Sequence, residues 1–197
     1  FRRRFGLCAA ILVLSREMGE YYRAAVGADF LDRKKIPVEH IYSIVDTARM
    51  HPVSAAERQV LREQLGFAPG EFAIGYAAAF NDKKNQLGFI EKAGPLLRER
   101  LPAGRVHCLG DFDPERDPYA RECRAAVERL ALGEQVVFRG FTPEIVRWYQ
   151  ALDALVVPTR QEGLARCMIE GMACGVPVVS FDVCSARERL EEHGCGL

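Results

Sequence analysis

The stretch "FAIGYAAAFNDKKNQLGFIEKAGPLLRERLPAGRVHCLG", Phe72 to Gly110, decides the fold. It opens on a short apolar run, passes through the polar loop "AFNDKKNQ", carries a helical pattern from Asn85 to Arg100, and returns to a second apolar run, "RVHCLG". Strand, helix and strand joined by short turns form a unit whose two strands lie parallel. The alternation then repeats. Tyr119 to Leu132 reads as helix, "QVVF" as strand, "PEIVRWYQA" as helix, "ALVVP" as strand, "LARCMIEGMAC" as helix and "VPVVSF" as strand, with "SARERLEEHG" as a last helix. The expected fold is α/β, a doubly wound parallel sheet covered on both faces.

Upstream of this stretch the pattern is different. "LCAAILVLS" reads as a buried strand, "REMGEYYRAAVG" as an amphipathic helix and "VEHIYSI" as a second short strand. "VDTARMHP" has a turn-like Asp, a Pro and no sustained period, which makes it a linker. A new unit starts at "SAAERQVLREQLG", where Ser54 can cap a helix, Glu57 stands three residues later and Gly66 closes it. The expected organisation is therefore residues 1–45 as the end of one domain, 46–53 as linker, and 54–197 as a second domain that stops where another strand is due. The N-terminal "FRRRFGLCAAILVLS" imitates a signal peptide, but its apolar run is too short to span a membrane and passes directly into a helix. A chain that begins inside a strand reads as a fragment.

Of 197 residues, 49% are hydrophobic and 27% charged, enough for a full domain plus part of another. Lys and Arg number 27 and Asp and Glu 27, so no excess charge points to nucleic acid as a partner, and any bound anion must be held by local geometry. Seven cysteines without a CxxC pair read as reduced core thiols of a cytoplasmic protein, with neither zinc nor a redox pair indicated. His40, His51, His107 and His193 share no metal-ligand spacing, and G-x-G-x-x-G is absent from the first strand of either unit, which disfavours a nicotinamide cofactor.

A doubly wound sheet binds ligands at the carboxyl ends of its strands. The segments there are "AFNDKKNQ", "DFDPERD" behind Gly110, "RGFTPEI", "TRQEGLARCMIE" and "DVCSARE". Gly110 would admit a ligand close to the backbone. Lys83 and Lys84 could reach a phosphate from the first strand end, though two lysines in a loop are more often simply solvated; position in the fold raises Lys84 over its neighbour. In "EGLARCMIE", Glu162 and Gly163 precede the expected helix, and Leu164, Ala165 and Arg166 form its first turn, whose free N–H groups suit an anion. Glu170 would lie ~12 Å from Glu162 if the whole segment were helical. It sits among apolar and small residues, so it needs a partner, and the vicinal hydroxyls of a ribose would serve. The spacing suits a nucleoside diphosphate with a hydroxyl-rich group: ribose at Glu170, diphosphate at the amides of Leu164 and Ala165, sugar at Glu162. An alternative stays open, in which Glu162 caps the helix and Glu170 is held in a salt bridge. Gly171 is read as tight packing of helix on sheet, and Gly175 followed by Pro177 as helix termination.

From "IYSIVDTARMHP" through "IGYAAAFNDKKNQLGFIEKA", "VVFRGFTPEIVRWYQALDALVVPTRQEG" and "IEGMACGVPVVSFDV", with its Glu, seven residues, Glu frame, the chain resembles the retaining glycosyltransferases of the GT-B fold, family four, often called group 1. The resemblance covers about three quarters of the sequence. It implies two Rossmann-like domains facing across a cleft, the chain carrying most of the C-terminal, donor-binding half and only the last elements of the acceptor domain. It implies transfer of a sugar from a UDP-, GDP- or ADP-sugar to a glycan or lipid-linked hydroxyl acceptor, in polysaccharide, lipopolysaccharide or glycolipid synthesis. Anomeric configuration would be retained, without metal or cofactor, in the cytoplasm or at the inner face of the membrane, any peripheral membrane association running through the missing N-terminal domain. Carried over by position, Lys84 contacts the donor diphosphate, Glu162 binds the transferred sugar and Glu170 the ribose. Gly163, Leu164 and Ala165 face the phosphates, and Phe141 to Ile145 lie near the base.

The chain departs from the family pattern twice. Many members carry Arg ahead of that lysine, where this chain has Ala79, and Glu-Ala-Met-Ala where it has "EGMA". Loss of the arginine removes a charge-assisted contact to the leaving diphosphate, for which Arg160 or Arg166 are substitutes by composition. Two alternatives to transfer accompany the resemblance: a nucleotide-sugar epimerase of the same fold, and a degenerate module that binds nucleotide sugar with little or no turnover. The fragment alone is expected to be inactive.

Overall fold

The computed structural model describes residues 2–41, 43–183 and 186–190. Cys184, Cys195, His193 and half of the expected last helix lie outside the described residues. The chain divides into two compact units, one drawn from Phe1–Ile44, Gln161–Ala165 and Asp182–Leu197, the other from Val45–Arg160 and Arg166–Phe181. The division at Ile44 falls beside the expected linker; the short segment 161–165 and the chain from 182, expected with the larger domain, group with the smaller unit.

The smaller unit contains α1 (Arg2–Phe5), β1 (Ile11–Val13), α2 (Arg16–Val26), α3 (Ala28–Lys34) and β2 (Val38–His40). β1 and β2 pair in parallel with Ile11 opposite Val38, and Ile11, Val13, Val26, Leu31 and Ile36 form the buried core. The Ser15 hydroxyl accepts the Met18 N–H at 3.1 Å and caps α2. α3 is not expected from the sequence. α2 ends where the expected helix does, at Gly27, whose φ of 98° separates it from α3 as an additional short helix.

The larger unit begins with α4 (Ala55–Gln64), and the capping box between Ser54 and Glu57 is present as expected. Then follow β3 (Phe72–Ala77), a 3-10 turn at Asp82–Lys84, α5 (Gln86–Arg100), β4 (Gly104–Leu109), α6 (Pro118–Arg129) and β5 (Val136–Gly140). α7 (Ile145–Ala151), β6 (Ala154–Val157), α8 (Arg166–Ala173) and β7 (Val178–Ser180) complete the unit, and α9 (Ala186–Leu190) belongs to the smaller one. The five strands are parallel in the order β5-β4-β3-β6-β7. The chain runs outward from β3 to β5 in one direction and from β6 to β7 in the other. The order therefore reverses between β3 and β6, and a ligand crevice is expected there.

Two polar clusters lock the end of the sheet away from that crevice. Asp153, just before β6, pairs with Arg58 at 2.7 Å and Arg62 at 3.0 Å and accepts the Ala73 N–H at 2.7 Å. Burial alone would raise its pKa, but the Ala73 amide and the two guanidiniums outweigh it and hold the carboxyl below the usual range. His107, fully buried in β4, donates from Nε2 to Glu71 at 2.6 Å and accepts at Nδ1 from Arg139 at 3.0 Å, so it is the neutral tautomer protonated on Nε2. Desolvation pushes its pKa down despite the carboxylate beside it. The buried thiols of Cys108, Cys123 and Cys174 are raised, the last two to about 12 and about 11, which keeps them protonated. Cys8 is exposed and Cys167 half-buried, so the expectation of core thiols does not extend to them.

Candidate functional site

The loops leaving β3 and β6 flank the reversal point and are tied to each other. The Lys83 carbonyl accepts the Arg160 N–H and the Thr159 hydroxyl, each at 2.8 Å, and the Asn85 side-chain amide donates to the Pro158 carbonyl at 2.9 Å. Asn85 adopts the left-handed conformation, φ 66°, which a short Asx side chain tolerates. Lys84 donates its N–H to the Asn81 side chain at 3.2 Å, and its carbonyl accepts the Tyr76 hydroxyl. Lys84 is half-buried whereas Lys83 is exposed.

A groove of about 420 Å³ opens at the carboxyl ends of β3, β4 and β5. It gathers four residues expected at the site from distant parts of the chain: Gly110, Phe141, Ile145 and Glu170. Ala79, the position that departs from the family pattern, lines the same wall. Phe141 is 76% exposed and offers an open aromatic face. Gly110 is required for a reason other than ligand approach: a Cβ there would stand 2.0 Å from the Ala78 carbonyl oxygen, so the glycine lets two backbones meet. Gly171 bears out the packing explanation, since a Cβ would come 2.8 Å from Leu155 Cδ2 on β6.

Glu170 has two protein partners. Its Oε2 accepts the Tyr149 hydroxyl at 3.2 Å, and its Oε1 lies 3.3 Å from Arg166 one turn earlier on α8. The salt-bridged alternative is thus realised for Glu170. Burial first, then the nearby Cys167 and Glu170, push the Tyr149 hydroxyl far above its usual range, so it remains a donor. Tyr149 was not anticipated as a site residue. Its signal was local: Ile145 and Tyr149 are four apart on α7 and both line the groove.

The other carboxylate falls elsewhere. Glu162 and Gly163 line a pocket of about 340 Å³ in the smaller unit with Ser15, Glu17, Met18, Tyr21 and Tyr22. α8 begins at Arg166, two residues later than expected, so Leu164 and Ala165 precede the helix with buried side chains instead of forming its first turn. Glu162 lies four positions ahead of that start, too far to be its cap. Of the two candidate replacement cations, Arg160 pairs with Asp82 at 2.8 Å and lines a separate groove beside α5, while Arg166 pairs with Glu170. Among the described residues no cluster of His, Cys, Asp and Glu is placed to hold a metal ion, and no helix is long and apolar enough to cross a membrane.

These features place the larger unit among doubly wound α/β folds whose ligands sit outside the carboxyl ends of the strands. The chain belongs to the group 1 glycosyltransferases, whose family pattern its residues 71–197 match. It is 30% identical over 156 residues to the lipopolysaccharide core biosynthesis mannosyltransferase LpsB of Rhizobium meliloti, an alignment covering 79% of this chain and 43% of LpsB. The chain spans less than half the length of the curated relatives it first matches. Among solved structures, Anabaena Alr3699/HepE in complex with UDP and glucose superposes with a TM-score of 0.78 at 25% identity, over 93% of this chain and 47% of that one. The C-terminal domain of the group 1 protein LpcC from Francisella tularensis gives 0.61 at 27% identity, over 70% of each chain.

Proposed function

We propose that this chain is the donor half of a sugar transferase: the larger unit holds a UDP-, GDP- or ADP-sugar, and the whole protein moves its glycosyl group to a hydroxyl of a glycan or lipid-linked acceptor with retention at the anomeric carbon. The observation that carries the reading is the convergence of Gly110, Phe141, Ile145 and Glu170 on one groove at the carboxyl ends of the strands, in a chain of this family. The base would lie against Phe141 and Ile145, and the ribose hydroxyls would donate to Glu170, whose Oε2 the Tyr149 hydroxyl already orients. Lys84 would meet the diphosphate from the loop after β3. Backbone groups at Gly163, Leu164 and Ala165 would complete the phosphate contacts, and Glu162 would bind the transferred sugar. Charge developing on the departing diphosphate is then stabilised by a fixed cation.

In this reading residues 1–45 end the acceptor domain, 46–53 link, and 54–197 belong to the donor domain. The protein works in the cytoplasm, with membrane contact reserved for its N-terminal domain, in polysaccharide, lipopolysaccharide or glycolipid assembly. The relatives named for lipopolysaccharide core and the neighbour holding UDP and glucose support that class of donor and product.

Calorimetric titration of the 197-residue chain with UDP, GDP and ADP tests the reading, and one of the three should bind. Glu170→Ala should weaken that binding about tenfold by removing a charged acceptor from the ribose. In the full-length enzyme Glu162→Ala should instead lower the transfer rate with nucleotide affinity little changed. Unaltered affinity in Glu170→Ala would remove the ribose assignment. Isomerisation of the donor sugar without acceptor would replace transfer by epimerisation.

A further inference from the structure

The groove that the proposed reading fills with a nucleoside diphosphate carries two carboxylates, Asp111 and Glu170, and no cationic side chain among its lining residues. Ala79 lines it too, and contributes no charge. A diphosphate bringing two or more negative charges to such a wall needs a counter-charge close by. Arg166 stands in contact with that lining, its Nη2 3.3 Å from Glu170 Oε1 and its side chain 64% exposed.

Arg166 is also badly placed for the helix it opens. It is the first residue of α8, whose first turn holds no acidic residue, and a cation at a helix N-terminus opposes the macrodipole. Its pairing with Glu170 runs Arg before Glu, the weaker order of an i,i+4 ion pair. The ion pair gives Glu170 a partner but leaves the guanidinium mostly exposed and opposed to the helix dipole, whereas an anion arriving at the start of α8 would offset that dipole term. Arg160 does not offer the same service. It is bonded to Asp82 on the side of α5, and its side chain lines the other groove.

We propose, resting on the nucleotide-sugar reading, that Arg166 is a second cation on the donor diphosphate, beside Lys84. In the structure Glu170 holds the guanidinium by one oxygen and the Tyr149 hydroxyl by the other. When nucleotide enters, the ribose hydroxyls donate to Glu170 and the guanidinium turns from Glu170 to the phosphate oxygens. The two halves of the ligand thereby each take one partner of a pre-existing pair. Arg166 then acts on the diphosphate and hardly on the nucleoside.

The test is calorimetric titration of the parent chain and of Arg166→Leu, Arg166→Lys and Arg160→Leu with UDP, GDP and ADP, each beside uridine, guanosine and adenosine. Melting curves confirm that each variant is folded. For whichever base binds, Arg166→Leu should lower affinity for the diphosphate about tenfold and for the nucleoside less than twofold, in line with loss of one charge-assisted contact. Arg166→Lys should restore part of the loss, and Arg160→Leu should leave the ratio as in the parent. An unchanged diphosphate-to-nucleoside ratio in Arg166→Leu overturns the role of Arg166 and leaves the nucleotide reading intact. Failure of the parent to bind any of the three diphosphates overturns the nucleotide reading itself.

Discussion

Single residues in this chain do work that their neighbours in sequence do not announce. Gly110 looks like a glycine kept free for a ligand; in the structure it is the place where the end of β4 passes the Ala78 carbonyl, with 2.0 Å left for an absent Cβ. Gly110→Ala should therefore destabilise the fold by about 2 kcal/mol, as overpacking against backbone does, and thermal melting of the variant checks it. A melting temperature equal to the parent's would show that the two backbones part easily. Glu170 was legible as a buried carboxylate in need of a partner, and Arg166 four positions earlier was there to be read as that partner. Tyr149 on α7 was harder to read, because its approach to Glu170 depends on how two helices pack.

At the level of elements, the alternation of apolar runs and helical stripes from Phe72 onward locates the strands and α-helices of the larger unit that follow α4 within a few residues. Two of that unit's helices carry a local signal at their start: the Ser54 and Glu57 box of α4, and the Asp117 side chain accepting the Tyr119 N–H at the start of α6. Where that signal is weak the reading fails. α3 has two apolar residues in sequence, Phe30 and Leu31, and its boundary rests on a single glycine conformation. α8 starts late because Leu164 and Ala165 are buried outside the helix, a tertiary circumstance without a local mark. Contacts between elements were equally silent: α4 is fastened to the sheet by Arg58 and Arg62 on Asp153. Asp153→Asn should cost about 2 kcal/mol by leaving these guanidiniums with weaker partners, read as a lower urea midpoint at unchanged slope. An unchanged midpoint would reduce the cluster to surface decoration.

For the whole molecule, the sheet order and the groove follow from topology more than from any motif. Gly110, Phe141, Ile145 and Glu170 meet because β3, β4 and β5 are neighbours and α7 and α8 bring Tyr149 and Glu170 together. The strand-end rule located the segments that line this groove without saying which of them share it. Global stability also has a buried titration built in. His107 is neutral in the fold with its pKa depressed, whereas in the unfolded chain it titrates near its ordinary value. Below about pH 6.5 the unfolded state takes up a proton that the folded state refuses, so this contribution is full above that pH. It is lost progressively, at up to about 1.4 kcal/mol per unit, as the pH falls toward the folded pKa. Chemical denaturation between pH 7.5 and 5.5 should show this decline, and His107→Gln should flatten it; equal slopes in parent and variant would assign the decline to other groups.

The hydrogen bonds that join the loops after β3 and β6 carry a last consequence. Lys83, Lys84 and Asn85 lose their backbone freedom when the sheet forms, because Arg160, Thr159, Pro158 and Tyr76 hold them. The conformational entropy of this loop is thus surrendered at folding and not at association. A ligand arriving there meets a loop already set, and its binding entropy should carry little penalty from ordering the chain around Lys84.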